Sequence, residues 1–256
     1  MAASRVALIA LPDIPLVEPG DDLAAILIEA LERAGDRPRD RDVLVVAQKI
    51  VSKAEGRYRR LAEVTPSARA REIGRQSHKD PRLIEVILSE SREVLRCKRD
   101  IVITEHRLGF VMANAGVDQS NIDHVGGERV LLLPTDPDAS CRELKRRLDA
   151  HFGVSVGVVI NDSFGRAWRN GVVGVALGAA GLPSLVDMVG EPDLFGRKLR
   201  VTQIALADEI AAAASLVMGQ AGERRPAVLV QGLDWGDRAA APASALLRPK
   251  ELDLFR

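Results

Sequence analysis

The 256-residue sequence is poor in aromatic residues and cysteine and carries no excess charge of either sign. Phe, Trp and Tyr make up 3% of the chain, which argues against the stacked aromatic platforms that bind single-stranded nucleic acids. Lys plus Arg number 36, as do Asp plus Glu, so no overall field favours nucleic acid as a partner. Cys97 and Cys141 have no CxxC partner or nearby histidine, so we expect free thiols in a reducing cytoplasm.

Long hydrophobic runs are also missing. The apolar run near the N-terminus is too short for a signal peptide. The most apolar long segment, residues 172–185, is broken by three glycines, a proline and a serine, so it cannot cross a bilayer. With 46% hydrophobic and 28% charged residues, the composition is typical of a globular cytoplasmic protein with no membrane partner. The four histidines show no metal-ligand spacing and are expected to be structural or exposed.

Short apolar runs and amphipathic segments predict a mixed α/β fold of the α+β class with substantial antiparallel pairing. Strands are predicted at residues 6–10, 43–47, 93–97, 101–104, 110–113, 130–133, 154–160 and 227–230, and weakly at 185–189 and 199–201. Helices are predicted at residues 23–34, 67–77, 83–88, 140–151 and 202–218. We expect one unit of residues 1–256, made of two interleaved α/β subregions (1–56 plus 134–235, and 57–133) that share a cleft, with 236–256 as a peripheral tail.

The chain is organised around the stretch VVINDSFGRAWRNG, residues 158–171. An apolar strand is predicted to end at Asn161-Asp162-Ser163, followed by a glycine-punctuated loop that carries Arg166 and Arg169. A carboxylate at a strand end suits a hard metal ion, and guanidinium groups make bidentate contacts to phosphate or carboxylate. The alternative is an ordinary polar loop whose arginines pair with surface acids.

Two further polar motifs also follow apolar strands. QKIVSKAEG, residues 48–56, offers amide and ammonium donors to an anion, although it lacks the glycines of a Walker loop. NAGVDQSN, residues 114–121, places Asp118 after a strand and a glycine. If the two strands are neighbours, Asp118 and Asp162 can share divalent cations. The alternatives are two solvated lysines in the first motif and an Asx turn at Asp118.

Six segments taken together resemble the coenzyme F-420:L-glutamate ligase family (coenzyme F420-0:gamma-glutamyl ligase). They span residues 6–232 in the family's order: LPDI with EPGDDL, VVAQKIVSKAEG, MANAGVDQSN, LLLPTDPDAS, VINDSFGRAWRNG and LVMGQAGERRPAVLVQG. The resemblance implies the glutamyl-ligase fold, which is not of the ATP-grasp type, and a homodimer with the site near the interface. It also implies addition of L-glutamate, through an amide bond, to the lactyl carboxylate of a deazaflavin coenzyme precursor. GTP would be the co-substrate, with magnesium or manganese, and potassium, as cofactors.

The resemblance also implies site residues. The residues expected to contact GTP are Leu11, Pro12, Asp13, Ile14, Gln48, Lys49, Lys53, Asn121, Met218, Gly219, Gln220, Ala221, Gly222, Glu223, Arg224 and Arg225. Asp118 and Asp162 would bind one metal ion, and Ser163 and Gln220 a second. Ser163 stands where threonine is common in the family, and its hydroxyl preserves the chemistry. Glu223-Arg224-Arg225 departs from the family's smaller, less charged turn before Pro226.

These residue types match the implied chemistry. Phosphoryl transfer from GTP would convert the carboxylate to an acyl phosphate, which the glutamate amine then attacks. Two metal ions can neutralise the phosphates, and Lys49 and Lys53 would add positive charge at the leaving group. Arg166 and Arg169 are expected to anchor the glutamate carboxylates or the coenzyme phosphodiester, which makes Lys53, Arg166 and Arg169 the predicted catalytic residues. Two other functions remain open: a metal-dependent nucleotide hydrolase or phosphotransferase using the same acids, and a non-catalytic GTP-binding sensor.

Overall fold

The fold is mixed α/β with mostly antiparallel sheets, and the computed structural model describes residues 5–124 and 126–254. The described strands are β1 (Ala7–Ala10), β2 (Val43–Ala47), β3 (Tyr58–Arg60), β4 (Ser91–Lys98), β5 (Ile101–His106), β6 (Val111–Ala113), β7 (Arg129–Leu131), β8 (Gly157–Arg166), β9 (Arg169–Ala180), β10 (Val186–Asp187), β11 (Gln203–Ile204) and β12 (Ala227–Gln231). The described α-helices are α1 (Leu23–Ala34), α2 (Gln48–Ala54), α3 (Ala68–Ser77), α4 (Pro81–Ser89), α5 (Pro137–Phe152) and α6 (Leu206–Met218). The predicted fold class is therefore confirmed.

A five-stranded sheet forms the centre of the molecule, with strand order β1-β12-β2-β8-β9. The apolar sequences of β2 and β12, VLVVA and AVLVQ, are buried along nearly their whole length, as expected for strands covered on both faces. β2 and β8 are parallel, whereas the other neighbouring pairs are antiparallel. Because β2 and β8 run in the same direction, the residues at their carboxyl ends meet at one edge of the sheet.

Helices cover both faces of this sheet. On one face, Leu44 and Val46 of β2 belong to a core cluster with residues of α1 and α5. On the other face, Val43 and Val45 belong to a cluster with the alanine-rich face of α6. The assignment of alternate β2 residues to opposite clusters follows the two-residue period of a strand.

A second packing centre is formed by residues 61–132. There α3 and α4 pack with the three-stranded sheet β4-β5-β6 and the β3-β7 pair. Its buried side chains include Leu61, Ile84, Ile87, Val102 and Val130. The division of the chain into two subregions stays a prediction.

The predicted loop after Asn161 is wrong. β8 continues through Asp162 and Ser163 to Arg166 and forms a hairpin with β9, a strand that the sequence analysis did not predict. Hydrogen bonding to β9 holds this polar half of β8 in the strand. The same pairing explains why the glycine- and alanine-rich β9 is a strand despite its weak propensity.

Several predicted boundaries also need correction. α5 begins at Pro137 rather than at Ser140, because the Asp136 carboxylate caps it by accepting from Ala139 N at 2.9 Å. α6 begins at Leu206 rather than at residue 202, since residues 203–204 pair with β10 as β11. Residues 199–201 are not a strand. The 48–56 motif, for which no helix was predicted, begins as α2 directly after β2.

Part of the C-terminal segment packs against the body of the protein. Ala243 is fully buried, and the Asp138 carboxylate accepts hydrogen bonds from Ala243 N and Ala179 N at 2.8 and 2.9 Å. This carboxylate therefore joins the segment to the start of α5 and to β9. In the ranges 5–124 and 126–254, every helix is too short or too polar to cross a membrane.

Candidate functional site

The site is built where β2 and β8 end side by side. Ala47 of β2 pairs with Asn161 of β8, so α2 begins beside Asp162. Along β8, Ile160 belongs to the cluster on the α1 and α5 face and Val159 to the cluster on the α6 face. Strand alternation therefore directs Asp162 to the α1 and α5 face, and Asn161 and Ser163 to the α6 face.

Lys49, in the first turn of α2, joins this edge to the loop that carries Asp118. Its ammonium lies 2.7 Å from Asp118 Oδ2 and 2.6 Å from Ser120 Oγ. Asp118 Oδ1 also accepts from Ser120 N at 2.8 Å, which is an Asx turn. The Asx turn at Asp118 is therefore confirmed, and the role of Asp118 as a metal ligand stays a prediction. Sequence reasoning missed Ser120, although its position two residues after an aspartate is typical of such a turn.

The two aspartates have opposite pKa shifts. Burial raises the pKa of Asp118, but Lys49 and the Ser120 hydrogen bonds outweigh burial and lower it overall. The pKa of Asp162 is raised to about 6: burial is the main cause and the charge of Asp118 adds to it, while the Ser163 backbone hydrogen bond and Lys49 oppose the rise. The negative charge of Asp118 therefore acts on Asp162. Such a pair gains from a bound cation, which neutralises the repulsion and favours the ionised forms.

A second contact joins β8 to the segment after α6. Ser163 Oγ donates to Gln220 Oε1 at 2.8 Å. The segment is held internally by Glu223, whose carboxylate accepts from Ala221 N at 2.8 Å. Ser163 and Gln220 therefore present hydroxyl and amide oxygens together, on the opposite side of β8 from Asp162.

The loop after Asp118 connects these two groups. Asn121 Nδ2 donates to Ala221 O at 3.3 Å, and Lys53 Nζ donates to Asn121 O at 2.9 Å. Burial is the main cause that lowers the pKa of Lys53, and Lys49 adds to it. The structure thus brings together the predicted residues of α2, of the 118–121 loop, of β8 and of the segment Met218 to Arg225.

The first predicted GTP motif, Leu11 to Ile14, lies beside the end of that segment. Leu11 N donates to Ala227 O at 2.9 Å, so the motif follows β1 where β12 begins. Leu11 is almost fully buried, and the Gln48 side chain is buried with its Oε1 accepting from Ser52 Oγ at 3.0 Å. The side chains of these two residues are therefore shielded from solvent. Pro12, Asp13 and Ile14 are more exposed.

Arg166 and Arg169 do not lie among these residues. They face each other across the tip of the β8–β9 hairpin, four residues beyond Asp162, which is roughly 13 Å along an extended strand. Arg169 is exposed, whereas Arg166 is half-buried and its Nη1 is buried without a hydrogen-bond partner among the described residues. That both arginines anchor an anionic group stays a prediction. Such an anion would bind at the hairpin tip, away from the two aspartates.

The oxygens at this edge are of the kind that hard divalent cations prefer. In the described ranges no three His, Cys, Asp or Glu side chains converge as a metal-binding group. The oxygens at this edge are the carboxylates of Asp118 and Asp162 and, on the other side of β8, the Ser163 hydroxyl with the Gln220 amide. Magnesium is commonly held by one or two carboxylates together with substrate phosphates, so these residues fit that ion.

An α+β fold that sets carboxylates and lysines at one sheet edge offers groups suited to cations and to anionic substrates, as enzymes that act on such substrates require. Residues 13–232 match the sequence model of the F420-0:Gamma-glutamyl ligase family, so the chain belongs to this family of ligases.

Curated relatives of the chain carry one name. This chain is 48% identical over 252 residues to the coenzyme F420:L-glutamate ligase of Methanothermobacter thermautotrophicus, and the match covers 98% of this chain and 99% of that protein. The protein of that name from Methanopyrus kandleri is 48% identical, with 94% and 93% covered. The one from Archaeoglobus fulgidus is 41% identical, with 98% and 97% covered.

Proposed function

We propose that the protein is a GTP-dependent ligase that joins L-glutamate, through an amide bond, to the lactyl carboxylate of the deazaflavin precursor of coenzyme F420. The observation that carries the proposal is the placement of Lys49 at the start of α2, where its ammonium pairs with Asp118 at 2.7 Å and its charge also acts on Asp162 at the end of β8. Family membership and the names of the relatives support glutamate and coenzyme F420 as substrates.

The carboxylates and neutral oxygens are the proposed metal ligands. Asp118 and Asp162 would hold one divalent ion, magnesium or manganese, and Ser163 with Gln220 a second ion; potassium is a further proposed cofactor. When bound, these ions would neutralise phosphate charge and align the phosphoryl donor with its acceptor. Lys49 and Lys53 carry positive charge on the same side of the sheet edge and would stabilise charge on the departing GDP.

The remaining chemistry takes place on the substrates. An oxygen of the lactyl carboxylate attacks the γ-phosphorus of GTP, the bond to the β-phosphate oxygen breaks, and GDP leaves. The neutral amine of glutamate then attacks the carbonyl carbon of the acyl phosphate. Inorganic phosphate leaves, and the amine proton is lost to solvent. The protein's part is to hold the three substrates and to offset negative charge.

The proposal has a direct test. Purified protein is incubated with the coenzyme precursor, L-glutamate, GTP and magnesium, and the products are analysed by mass spectrometry and nucleotide chromatography. We expect a product heavier by one glutamyl residue and one GDP for each bond formed. GTP loss without an acceptor would instead indicate a nucleotide hydrolase, and tight GTP binding without turnover a sensor. Asp162→Ala is expected to abolish turnover while its circular dichroism spectrum remains that of the wild type.

A cytoplasmic homodimer is part of the same proposal. Leu194, Phe195 and Leu216 are large apolar side chains with 80% or more of their surface exposed. A second copy of the chain covering such residues would remove them from water. Light scattering coupled to size-exclusion chromatography should give twice the 27.7 kDa mass of the chain, and a monomer mass at micromolar concentration would contradict this part.

A further inference from the structure

Asn161, the residue before Asp162, has a role that sequence reasoning did not assign. It is 6% exposed and faces α6. Its Nδ2 donates to Ser215 Oγ at 3.0 Å and lies 3.4 Å from Met218 Sδ. Ser215 Oγ in turn donates to Ala211 O at 3.0 Å, so its single proton is used within the helix. The hydroxyl of Ser215 therefore accepts from Asn161, and the contact has a defined direction.

This contact lies beside two of the three segments that carry the proposed metal ligands, β8 and the segment after α6. Ser215 is in the last turn of α6, and Gln220 follows the helix after Gly219. Asn161 and Ser163 are two residues apart on the same face of β8. β8 and the end of α6 are therefore joined twice, by the buried Asn161–Ser215 bond and by the Ser163–Gln220 bond.

The local backbone is shaped for this close approach. Gly174 of β9 pairs with Ser163, and a Cβ atom there would overlap Ala211 O and Ser215 Oγ. The missing side chain lets α6 lie directly against the sheet. The β8–β9 register also shifts between Ile160 and Asn161, an irregularity of the kind used to re-aim side chains near functional sites.

The Asn161 side chain is a poor choice for stability alone. Its Oδ1 is buried and has no hydrogen-bond partner among the described residues. A buried acceptor left unpaired costs free energy, whereas an apolar side chain of similar size would avoid that cost. A merely structural role therefore does not explain an amide at this position.

We propose that Asn161 is a positioning residue for the ligase reaction. Through Ser215 it sets the spacing between Asp162 and Ser163 on β8 and Gln220 after α6, without touching substrate. The inference rests on the proposed function, because the spacing matters only if these oxygens hold cations during ligation.

The test uses Asn161→Leu, Ser215→Ala and the double variant in the full-length protein, with Glu209→Gln on the exposed face of α6 as the control. Three quantities are measured: the urea midpoint, the Mn²⁺ dissociation constant by electron paramagnetic resonance titration, and kcat and KM for glutamate. For Asn161→Leu we expect a midpoint equal to or above that of the wild type, Mn²⁺ binding about tenfold weaker, and kcat about tenfold lower at unchanged KM. The double variant should be no worse than Asn161→Leu, because both substitutions break the same bond.

Several results would overturn the inference. One is an Asn161→Leu variant with the Mn²⁺ affinity and kcat of the wild type. Another is a double variant in which the losses of Mn²⁺ affinity and kcat equal the sum of those in the single variants and parallel a lowered urea midpoint. If Asn161→Leu does not fold, Ser215→Ala removes the same bond and decides by the same readouts. A wild-type protein that binds Mn²⁺ but makes no glutamylated product would refute the proposed function alone, since Mn²⁺ affinity would still report on the spacing.

Discussion

Asp118 and Asp162 carry the same carboxyl group in different surroundings. Asp118 has an ammonium at 2.7 Å and two hydrogen bonds from Ser120, and these keep it ionised. For Asp162, burial is the dominant influence and is only partly offset, so its pKa is raised to about 6. Without a bound metal, ionisation of Asp162 therefore lowers the stability of the folded protein. A bound cation would offset this electrostatic cost.

The raised pKa predicts an unusual dependence of stability on pH. The folded state holds the Asp162 proton more tightly than the unfolded state, whose pKa is near 3.8, so stability falls as the pH rises from about 4 to above 6. In a buffer containing EDTA, Asp162→Asn should therefore be more stable than the wild type at pH 7.5, by up to about 3 kcal/mol. The two proteins should converge toward pH 4. Urea unfolding across this range measures the difference.

The exposed Asp36 offers a matched control. Asp36→Asn should follow the wild-type curve at every pH, because an exposed carboxyl gains or loses little on folding. If Asp162→Asn also follows that curve, then burial does not raise the pKa of Asp162 in solution.

Arg166 differs from the other arginine of the hairpin tip by a buried nitrogen that has no hydrogen-bond partner within residues 5–124 and 126–254. If it anchors an anionic group of a substrate, Arg166→Gln should raise one KM about tenfold and leave kcat within about twofold, since the site lies far from the reacting atoms. Arg166→Lys should restore affinity only in part, because lysine lacks the planar fork of donors. Varying glutamate and the coenzyme precursor separately shows which substrate is held. Unchanged KM values for both would exclude the role, and Arg169→Gln provides the comparison for an exposed arginine.

At the scale of elements, the hairpin of β8 and β9 depends on glycines where helices touch it. A Cβ atom at Gly178 would overlap the backbone carbonyl of Pro137, the first residue of α5. Gly178→Ala should therefore cost about 2–3 kcal/mol of unfolding free energy, as overpacking against backbone does. Gly165→Ala is the control in the same hairpin, since nothing lies within 4 Å of a Cβ atom there. Equal urea midpoints for the two variants would show that α5 does not press on β9.

The elements that the sequence predicted correctly are those whose apolar residues are buried in a regular local pattern. The bounds of β2, β12 and α1 were predicted within a residue or two. The two strands are short apolar runs, and α1 has a strong apolar periodicity and a local N-cap, Asp22, which accepts from Ala25 N at 3.0 Å. The polar end of β8 and the whole of β9 could not be predicted, since their strand state depends on pairing with each other. The start of α5 was predicted three residues too late, although Asp136 followed by Pro137 is a local signal for a helix start.

The same limit applied to the site. Composition and spacing could name Asp118 and Asp162 as strand-end carboxylates but could not decide their neighbourhood, which depends on the parallel pairing of β2 with β8. The Lys49–Ser120 and Asn161–Ser215 contacts could not be predicted, because each joins residues that are more than 50 positions apart in the sequence.

At the scale of the whole molecule, a buried ionic cluster joins four parts of the chain around Glu90, which ends α4. Its carboxylate lies 3.1 Å from Arg57 and 2.9 Å from Arg107, with His106 Nε2 at 3.5 Å. Arg57 Nε also donates to Leu133 O at 2.9 Å, on the way from β7 to α5. The packing centre of residues 61–132 is thereby tied to the chain that leads back to the central sheet.

This cluster predicts how the molecule responds to acid. Burial raises the pKa of Glu90, but the His106 ring at 3.5 Å, the hydrogen bond from Arg107 and the charges of Arg107 and Arg57 outweigh burial and lower it to about 2. The stabilisation is therefore complete above about pH 4.5 and is lost as the pH falls toward 2. Glu90→Gln should lower the unfolding free energy by about 3 kcal/mol at pH 7 and by much less near pH 2.5.

Guanidinium unfolding at a series of pH values tests this, with Glu29→Gln as the matched control. Glu29 pairs with Arg33 at 3.6 Å on the exposed face of α1, so its loss should cost at most about 0.5 kcal/mol at any pH. A deficit in Glu90→Gln that stays constant down to pH 2.5 would mean that lost packing, rather than lost charge, destabilises the variant. The cluster would then join the two packing centres by shape alone.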